Sequence, residues 1–459
     1  MNDIKKIVLF IVVAICLMQA CSSSGADNDV IDNTAPQVAA TFPVAASEST
    51  SAGVTTITVT YDEAVLLLSP SYVTINGTKV SPSVSGNVLS FAFSLEANTD
   101  YTVIVGSPSI KDAAGNISSS YSFTFKTSLG SPGFNASKFS LSSSLCTPNP
   151  SLQAVNVYNF LKENFGTKVI SGTMANVNFN TDEAQWVYNQ TGKWPALTCI
   201  DYLHLPYSPA SWIDYSTTSF LQNWWNNNGL VAAMWHWNVP KSQGSSEYTF
   251  GVDTQFKTSN TVIEGTWENT IVKADLEKIS TYLLLLKNAG IPVIWRPLHE
   301  ASGNIYQYTG GTAWFWWGND GAEAYKALWK YMFNYFQNKG LNNLIWVWTT
   351  ETGDAPFYPG DDYVDVVGCD IYPAANVHNS QATTFNKVLN ITNKKIIALS
   401  ECGGIPNPNL MYTEGDMWSW FMPWYGDYTT SDSQNGASYW KSVMNNSLVI
   451  TRDQMPSLK

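Results

Sequence analysis

Two hydrophobic rhythms divide the chain. Over residues 34–127, apolar and polar positions alternate in short runs at 55–61, 73–75, 88–93, 101–105 and 121–125. A period of two puts one face of each strand in a core and the other in water. Asn76-Gly77, Ser85-Gly86-Asn87 and Gly115-Asn116 supply turns between the runs, so a small antiparallel β-sandwich is predicted. Further on, the alternation gives way to continuous apolar runs at 169–172, 195–198, 230–234, 292–294, 344–348, 364–367, 396–399 and 417–421. Runs of that length bounded by Gly or Pro predict strands buried on both faces of a parallel sheet. Helical patterns at 153–163, 276–289 and 322–338 fall between them. Eight strands alternating with helices predict a (β/α)8 TIM barrel.

The ends and joints of the two patterns complete the layout. Lys5 and Lys6 precede an apolar run over residues 7–17, the length of a signal-peptide core and short for a membrane span. Ala20-Cys21 resembles the lipobox of bacterial lipoproteins, with Met18 a loose match at its first position. That resemblance implies a signal peptide over residues 1–20, a lipid anchor on Cys21 and an outer-membrane or cell-surface location. Residues 21–33 are Ser-, Asp- and Asn-rich and read as a tether. Residues 34–127 form the sandwich, 128–144 a Ser/Gly-rich linker, and 145–459 the barrel domain. Thr34-Ala35-Pro36 and Lys111-Asp112-Ala113-Ala114-Gly115-Asn116 resemble bacterial immunoglobulin-like domains.

Charge narrows the partners. A net charge of −12 with 24 basic residues argues against nucleic acid, because neutralising phosphates needs a Lys/Arg surface. Only 13% of residues are charged, which suits a neutral substrate. Six cysteines occur; Cys146, Cys199, Cys369 and Cys402 remain after the leader, with no zinc spacing and no readable pairing. No metal site or cofactor fingerprint is found, and a monomer is expected. All 19 tryptophans fall in the barrel region. Flat aromatic faces with a polar edge suit sugar rings, although most single tryptophans are expected to fill the core.

The chemistry concentrates at two strand ends. Trp295-Arg296-Pro297-Leu298-His299-Glu300 closes the fourth predicted strand, and Ser400-Glu401 the seventh. Two carboxyls on one rim of a barrel provide what glycoside hydrolysis needs: an acid for the leaving oxygen and a carboxylate to attack or to activate water. A single such glutamate would more simply cap a loop or pair with Arg296; two beside many aromatics favour chemistry.

These motifs, with Trp314-Phe315-Trp316-Trp317-Gly318, Tyr358-Pro359-Gly360-Asp361 and Val364-Asp365-Val366-Val367-Gly368, resemble glycoside hydrolase family 26. The order is consistent over residues 151–427. The resemblance implies a retaining enzyme on β-1,4-mannosidic linkages of mannan, galactomannan or glucomannan, endo-acting, with Glu300 as acid/base and Glu401 as nucleophile. It further implies sugar contacts from His236, His299 and Trp314, a hydrogen bond from Tyr372 to the nucleophile, a platform at Trp424, and a distal sugar contact at Tyr202. Other members' substrates, β-1,3-xylan and mixed-linkage β-glucan, remain alternatives, as does a non-catalytic surface glycan-binding lipoprotein. One departure stands out: residues 301–313, between Glu300 and Trp314, are longer than the family pattern leads one to expect.

Overall fold

A computed structural model describes residues 32–205 and 213–459. Cys21 and the leader lie outside the described residues. The chain divides into two units, 1–128 and 129–459.

In the first unit, two four-stranded antiparallel sheets face each other. One runs in the order Val38–Phe42, Gly53–Tyr61, Val88–Leu95, Ser83–Ser85. The other runs Tyr121–Lys126, Asp100–Gly106, Tyr72–Ile75, Thr78–Lys79. Every alternating run read from the sequence lies in one of these strands. Their inward positions, Ile57, Val59, Val73, Ile75, Leu89, Phe91, Val103 and Phe125 among them, form one core.

The second unit is a closed parallel barrel of β1 (Val169–Met174), β2 (Leu197–Asp201), β3 (Leu230–Trp235), β4 (Val293–Pro297), β5 (Leu344–Thr350), β6 (Val366–Ile371), β7 (Ile396–Cys402) and β8 (Trp420–Pro423). Closure comes from β1, which pairs with both β2 and β8. Nearly every strand residue is buried, as continuous apolar runs require when helices cover the outside. Those helices include α1 (Leu152–Asn164), α2 (Asp182–Thr191), α3 (Ser219–Asn226), α4 (Trp267–Asn288), α5 (Ala322–Asn338) and α6 (Ala382–Leu389).

Three boundaries differ from the sequence reading. Helix α4 starts well before residue 276, capped by Thr266, whose hydroxyl accepts from the Asn269 N–H at 3.1 Å. Glu268, Asn269 and Asp275 are buried on its inner face, and those polar residues break the apolar period that marks a helix. Strand β8 starts later than residue 417. Asp416 holds the preceding segment in a turn, accepting from Ser380 Oγ and the Gln381 N–H at 2.6 Å each.

The third difference is the expected linker. The Gly133 N–H donates to the Tyr412 carbonyl at 2.8 Å, and the Ser140 N–H to Asn393 at 2.9 Å. Phe134 and Phe139 stack at 5.2 Å and pack against Phe165 and Phe385. Composition hid this, because two phenylalanines supply the anchoring that the surrounding Ser and Gly lack. A chain beginning at Ser144 should therefore be about 2–4 kcal/mol less stable than one beginning at Leu129, the scale of two partly buried phenylalanines. Equal urea midpoints for the two chains would contradict this packing.

Candidate active site

Parallel strands share one direction, so their carboxyl ends share one rim, where barrel enzymes assemble their chemistry. That rim carries His236 just after β3, Glu300 just beyond β4, Glu351 after β5, Tyr372 after β6, Glu401 within β7 and Trp424 after β8. A register shift between Cys369 and Asp370 sets Asp370 opposite Glu401. Such irregularities re-aim side chains beside active sites. Here they let consecutive residues of β7 both serve the site: Ser400 Oγ donates to Asp370 at 2.7 Å, and Glu401 meets Arg296.

Arg296 is the buried cation at the centre. Its Nη1 donates to Asp370 at 2.7 Å and to Thr349 Oγ1 at 3.1 Å, and its Nη2 donates to Glu401 Oε1. Tyr372 donates its hydroxyl to Glu401 Oε2 at 2.8 Å. Both oxygens of Glu401 thus receive a donor, one of them cationic. Hydrogen bonds from donors to a carboxylate favour its charged form.

Glu300 sits in the opposite circumstances. Burial, then the negative charge of Asp370, push its carboxyl up to about 8, with Arg296 acting against them. Glu351, 8% exposed, is also raised, by burial first and then by Glu300 and Asp370. One carboxyl oxygen from each of Glu300, Glu351 and Asp370 lies within 4.8 Å of the others, and Glu351 Oε1 has no hydrogen-bond partner. A divalent cation tolerates such spacing, but Arg296 already supplies the positive charge. Protons on Glu300 and Glu351 then relieve the remaining repulsion, as expected for crowded carboxyls.

The loop that presents Glu300 is strained. Leu298 and Glu300, on either side of His299, have φ of 51° and 49°, a conformation costing about 1–3 kcal/mol per non-glycine residue. Three hydrogen bonds hold it: Tyr325 Oη to the Leu298 carbonyl at 3.0 Å, Trp317 Nε1 to the His299 carbonyl at 2.8 Å, and the Gly303 N–H to the Glu300 carbonyl at 3.0 Å.

His299 and His236 form a relay with Asp201. Asp201 Oδ2 lies 2.6 Å from His236 Nδ1 and Oδ1 accepts from the His236 N–H at 3.0 Å. The two Nε2 atoms are 3.2 Å apart. With the His236 proton on Nδ1, its Nε2 accepts and His299 Nε2 donates, leaving His299 Nδ1 as the bare nitrogen; that atom has no partner. Burial, then His236 and Arg296, hold the His299 imidazolium pKa well below the ordinary value, so His299 is neutral. Phe315 packs on both rings, at 5.6 and 5.1 Å, and Trp424 lies 6.0 Å from His236.

Six of the sequence candidates therefore gather at one cleft: Glu300, Glu401, His236, His299, Tyr372 and Trp424. Trp314, 39% exposed, lines a cavity of about 300 Å³ together with two of these, Glu300 and Tyr372, and with Glu351 and Asp370. Tyr202 does not. It is 1% exposed and its ring packs against Tyr215 at 4.9 Å and Trp295 at 6.3 Å, so it is a core residue with no face for a sugar. Most tryptophans are also core, including Trp235, Trp237, Trp316 and Trp317. Glu351 was not anticipated: Thr349-Thr350-Glu351-Thr352 carries no motif, and its proximity to Glu300 follows only from β4 and β5 being neighbours. Cys146, Cys199, Cys369 and Cys402 are free thiols.

A (β/α)8 barrel with two carboxyls in opposed environments on its rim defines a class, the barrel glycosidases. The chain belongs to glycosyl hydrolase family 26, whose family model matches residues 146–454. A bacterial Ig-like domain matches residues 32–127. Mannan endo-1,4-beta-mannosidase A of Piromyces sp is 32% identical over 69% of this chain and 51% of that protein. The chain spans about half the length of the first curated relatives it matches, 51% and 54%. Among solved structures, the beta-mannanase from a symbiotic protist of the termite Reticulitermes speratus, complexed with gluco-manno-oligosaccharide, is 40% identical. That match covers 70% of this chain and 99% of that one, with TM-score 0.62. The endo-beta-mannanase/endo-beta-glucanase of Prevotella bryantii is 36% identical over 68% and 48%, also with TM-score 0.62.

Proposed function

We propose that this protein is a retaining endo-β-1,4-mannanase acting on mannan, galactomannan or glucomannan. The observation that carries the reading is the asymmetry of its two rim glutamates. Glu401 is held by Arg296 and Tyr372 as a carboxylate, and Glu300 retains a proton beside Asp370. In this reading Glu401 attacks the anomeric carbon while Glu300 delivers its proton to the departing oxygen. Glu300 then takes a proton from the water that releases the glycosyl-enzyme. Tyr372 and Arg296 orient the nucleophile, and neutral His299 fixes the ring of His236 beneath the sugar. Trp314 and Trp424 offer faces on which sugar rings can stack. The mannan preference rests on what the similar proteins are named for. Reducing-sugar release from mannan, galactomannan, glucomannan, β-1,3-xylan and mixed-linkage glucan tests it: the mannans should be cleaved to mixed short oligomers, and exclusive turnover of xylan or glucan would refute it.

The pH profile tests the protonation scheme. Because the Glu300 acid form persists to about 8, activity should fall as pH rises through that value. Neutral Glu351 resembles glutamine in shape and charge, so Glu351→Gln should leave the alkaline limb within about half a unit of the wild type. An ionised Glu351 would behave otherwise. Removing its charge would lower the Glu300 pKa and pull that limb to lower pH by about a unit.

We further propose, from the leader sequence, that Cys21 is lipidated and anchors a monomeric enzyme at the membrane or cell surface. Cys21→Ala should then move the protein from the membrane to the soluble fraction, and persistent membrane fractionation would contradict the anchor.

A further inference from the structure

We infer that the unusual loop over residues 301–313 builds an additional sugar subsite for the departing part of the substrate chain. This inference rests on the glycosidase reading above and specifies where its substrate extends.

The loop is a folded platform. The Asn304 N–H donates to the Thr312 carbonyl at 3.0 Å, and Asn304 Oδ1 accepts from the Thr312 N–H at 2.6 Å. Asn304 Nδ2 also donates to the Tyr308 hydroxyl. Backbone approach is close enough to demand glycine twice. A Cβ on Gly311 would lie 2.0 Å from the Asn304 carbonyl oxygen, and one on Gly303, at φ 50°, would lie 2.5 Å from that of Thr312. The base is pinned to the loop after β5 by buried Asp354, which accepts from Ser302 Oγ at 2.9 Å and from the Glu351 N–H at 3.0 Å. Tyr306 therefore stands on a fixed base, its ring edge-on to Phe357 at 6.2 Å, and remains 44% exposed.

What it faces is a cleft of about 670 Å³, walled by Tyr306, Gln307 and Thr352 on one side and by Lys387, Asn390 and Ile391 on the other. That volume falls within the range of ligand pockets. Gln307 and Thr352 also line the cavity around Glu300, so the two spaces adjoin, and we read them as one groove. Direction follows from the chemistry. The glycosidic oxygen must lie at Glu300, and the sugar attacked must sit over Glu401, near His236 and Trp424. The groove runs from Glu300 without touching those three residues, so it holds the leaving side. An aromatic face, an amide, an ammonium and a hydroxyl around an open groove match a pyranose ring, which has an apolar face and a rim of hydroxyls.

Oligosaccharides of β-1,4-linked mannose, labelled with ¹⁸O at the reducing end, test the assignment in Tyr306→Ala and, on the opposite wall, Lys387→Ala. Loss of one stacking or hydrogen-bonding contact is expected to lower the hexaose-to-tetraose ratio of kcat/KM by about five- to tenfold. Cleavage of the hexaose should move toward the reducing end, shortening the labelled fragment, because fewer residues are held beyond Glu300. An unchanged ratio and an unchanged fragment pattern in both variants would overturn the subsite while leaving the mannanase reading intact. Longer labelled fragments would place the groove on the attacked side instead. Absence of any hydrolysis by the wild type would overturn the mannanase reading, and this inference with it.

Discussion

Glu401→Ala should lose at least about 10⁴-fold in kcat on mannan oligosaccharides, the scale seen when a covalent enzyme loses its nucleophile. The cause is local. Arg296 and Tyr372 each donate to one oxygen of Glu401, and truncation removes the carboxylate that they position. Truncation also leaves a space beneath the anomeric carbon, open to a small anion. Azide should therefore restore turnover and give a glycosyl azide of inverted configuration. The variant should still fold, but with Arg296 paired only to Asp370, and its Tm should change in a direction that tests the cost of this buried charge cluster. Breaking one partner of a buried pair typically destabilises by about 3–5 kcal/mol. Azide rescue with retained configuration would mean that Glu401 is not the attacking group.

Glu300→Ala should behave differently on different leaving groups. On mannan, where the departing alkoxide needs a proton, the loss should be about 10²–10⁴-fold, the usual contribution of a positioned general acid. On aryl glycosides with acidic phenols the first step needs little protonation, so a burst of phenol should appear while release of the glycosyl-enzyme becomes slow. Azide should accelerate that second step and give a product of retained configuration. Equal losses on both substrate classes would show that Glu300 does not act as the acid.

The barrel was legible because strands buried on both faces leave continuous apolar runs, and the sandwich because one-sided burial leaves alternation. The rim glutamates were legible because each closes such a run. What escaped depended on contacts between distant residues. Asp275 accepts from Trp237 Nε1 at 2.7 Å, a reason for a polar residue inside α4 that no local pattern reveals. Phe134 anchors a segment whose composition reads as a spacer. Tyr202 lies next to Asp201, which does reach the site through His236, yet its own ring packs into the core against Tyr215 and Trp295. From sequence alone, Arg296 is a partner that would explain a glutamate without chemistry. In the fold it pairs with Glu401 and Asp370 together, so pairing with Arg296 does not exclude a chemical role for Glu401, while burial and Asp370 push the Glu300 carboxyl up.

The stereochemistry of the first product tests the central claim most directly. Proton NMR of the anomeric signals, recorded within the first minutes of manno-oligosaccharide hydrolysis and before mutarotation, distinguishes the two outcomes. A covalent intermediate on Glu401, released by water activated at Glu300, predicts that the β-anomer appears first and the α-anomer follows by mutarotation. Initial appearance of the α-anomer would contradict the double displacement and require a water between the sugar and Glu401.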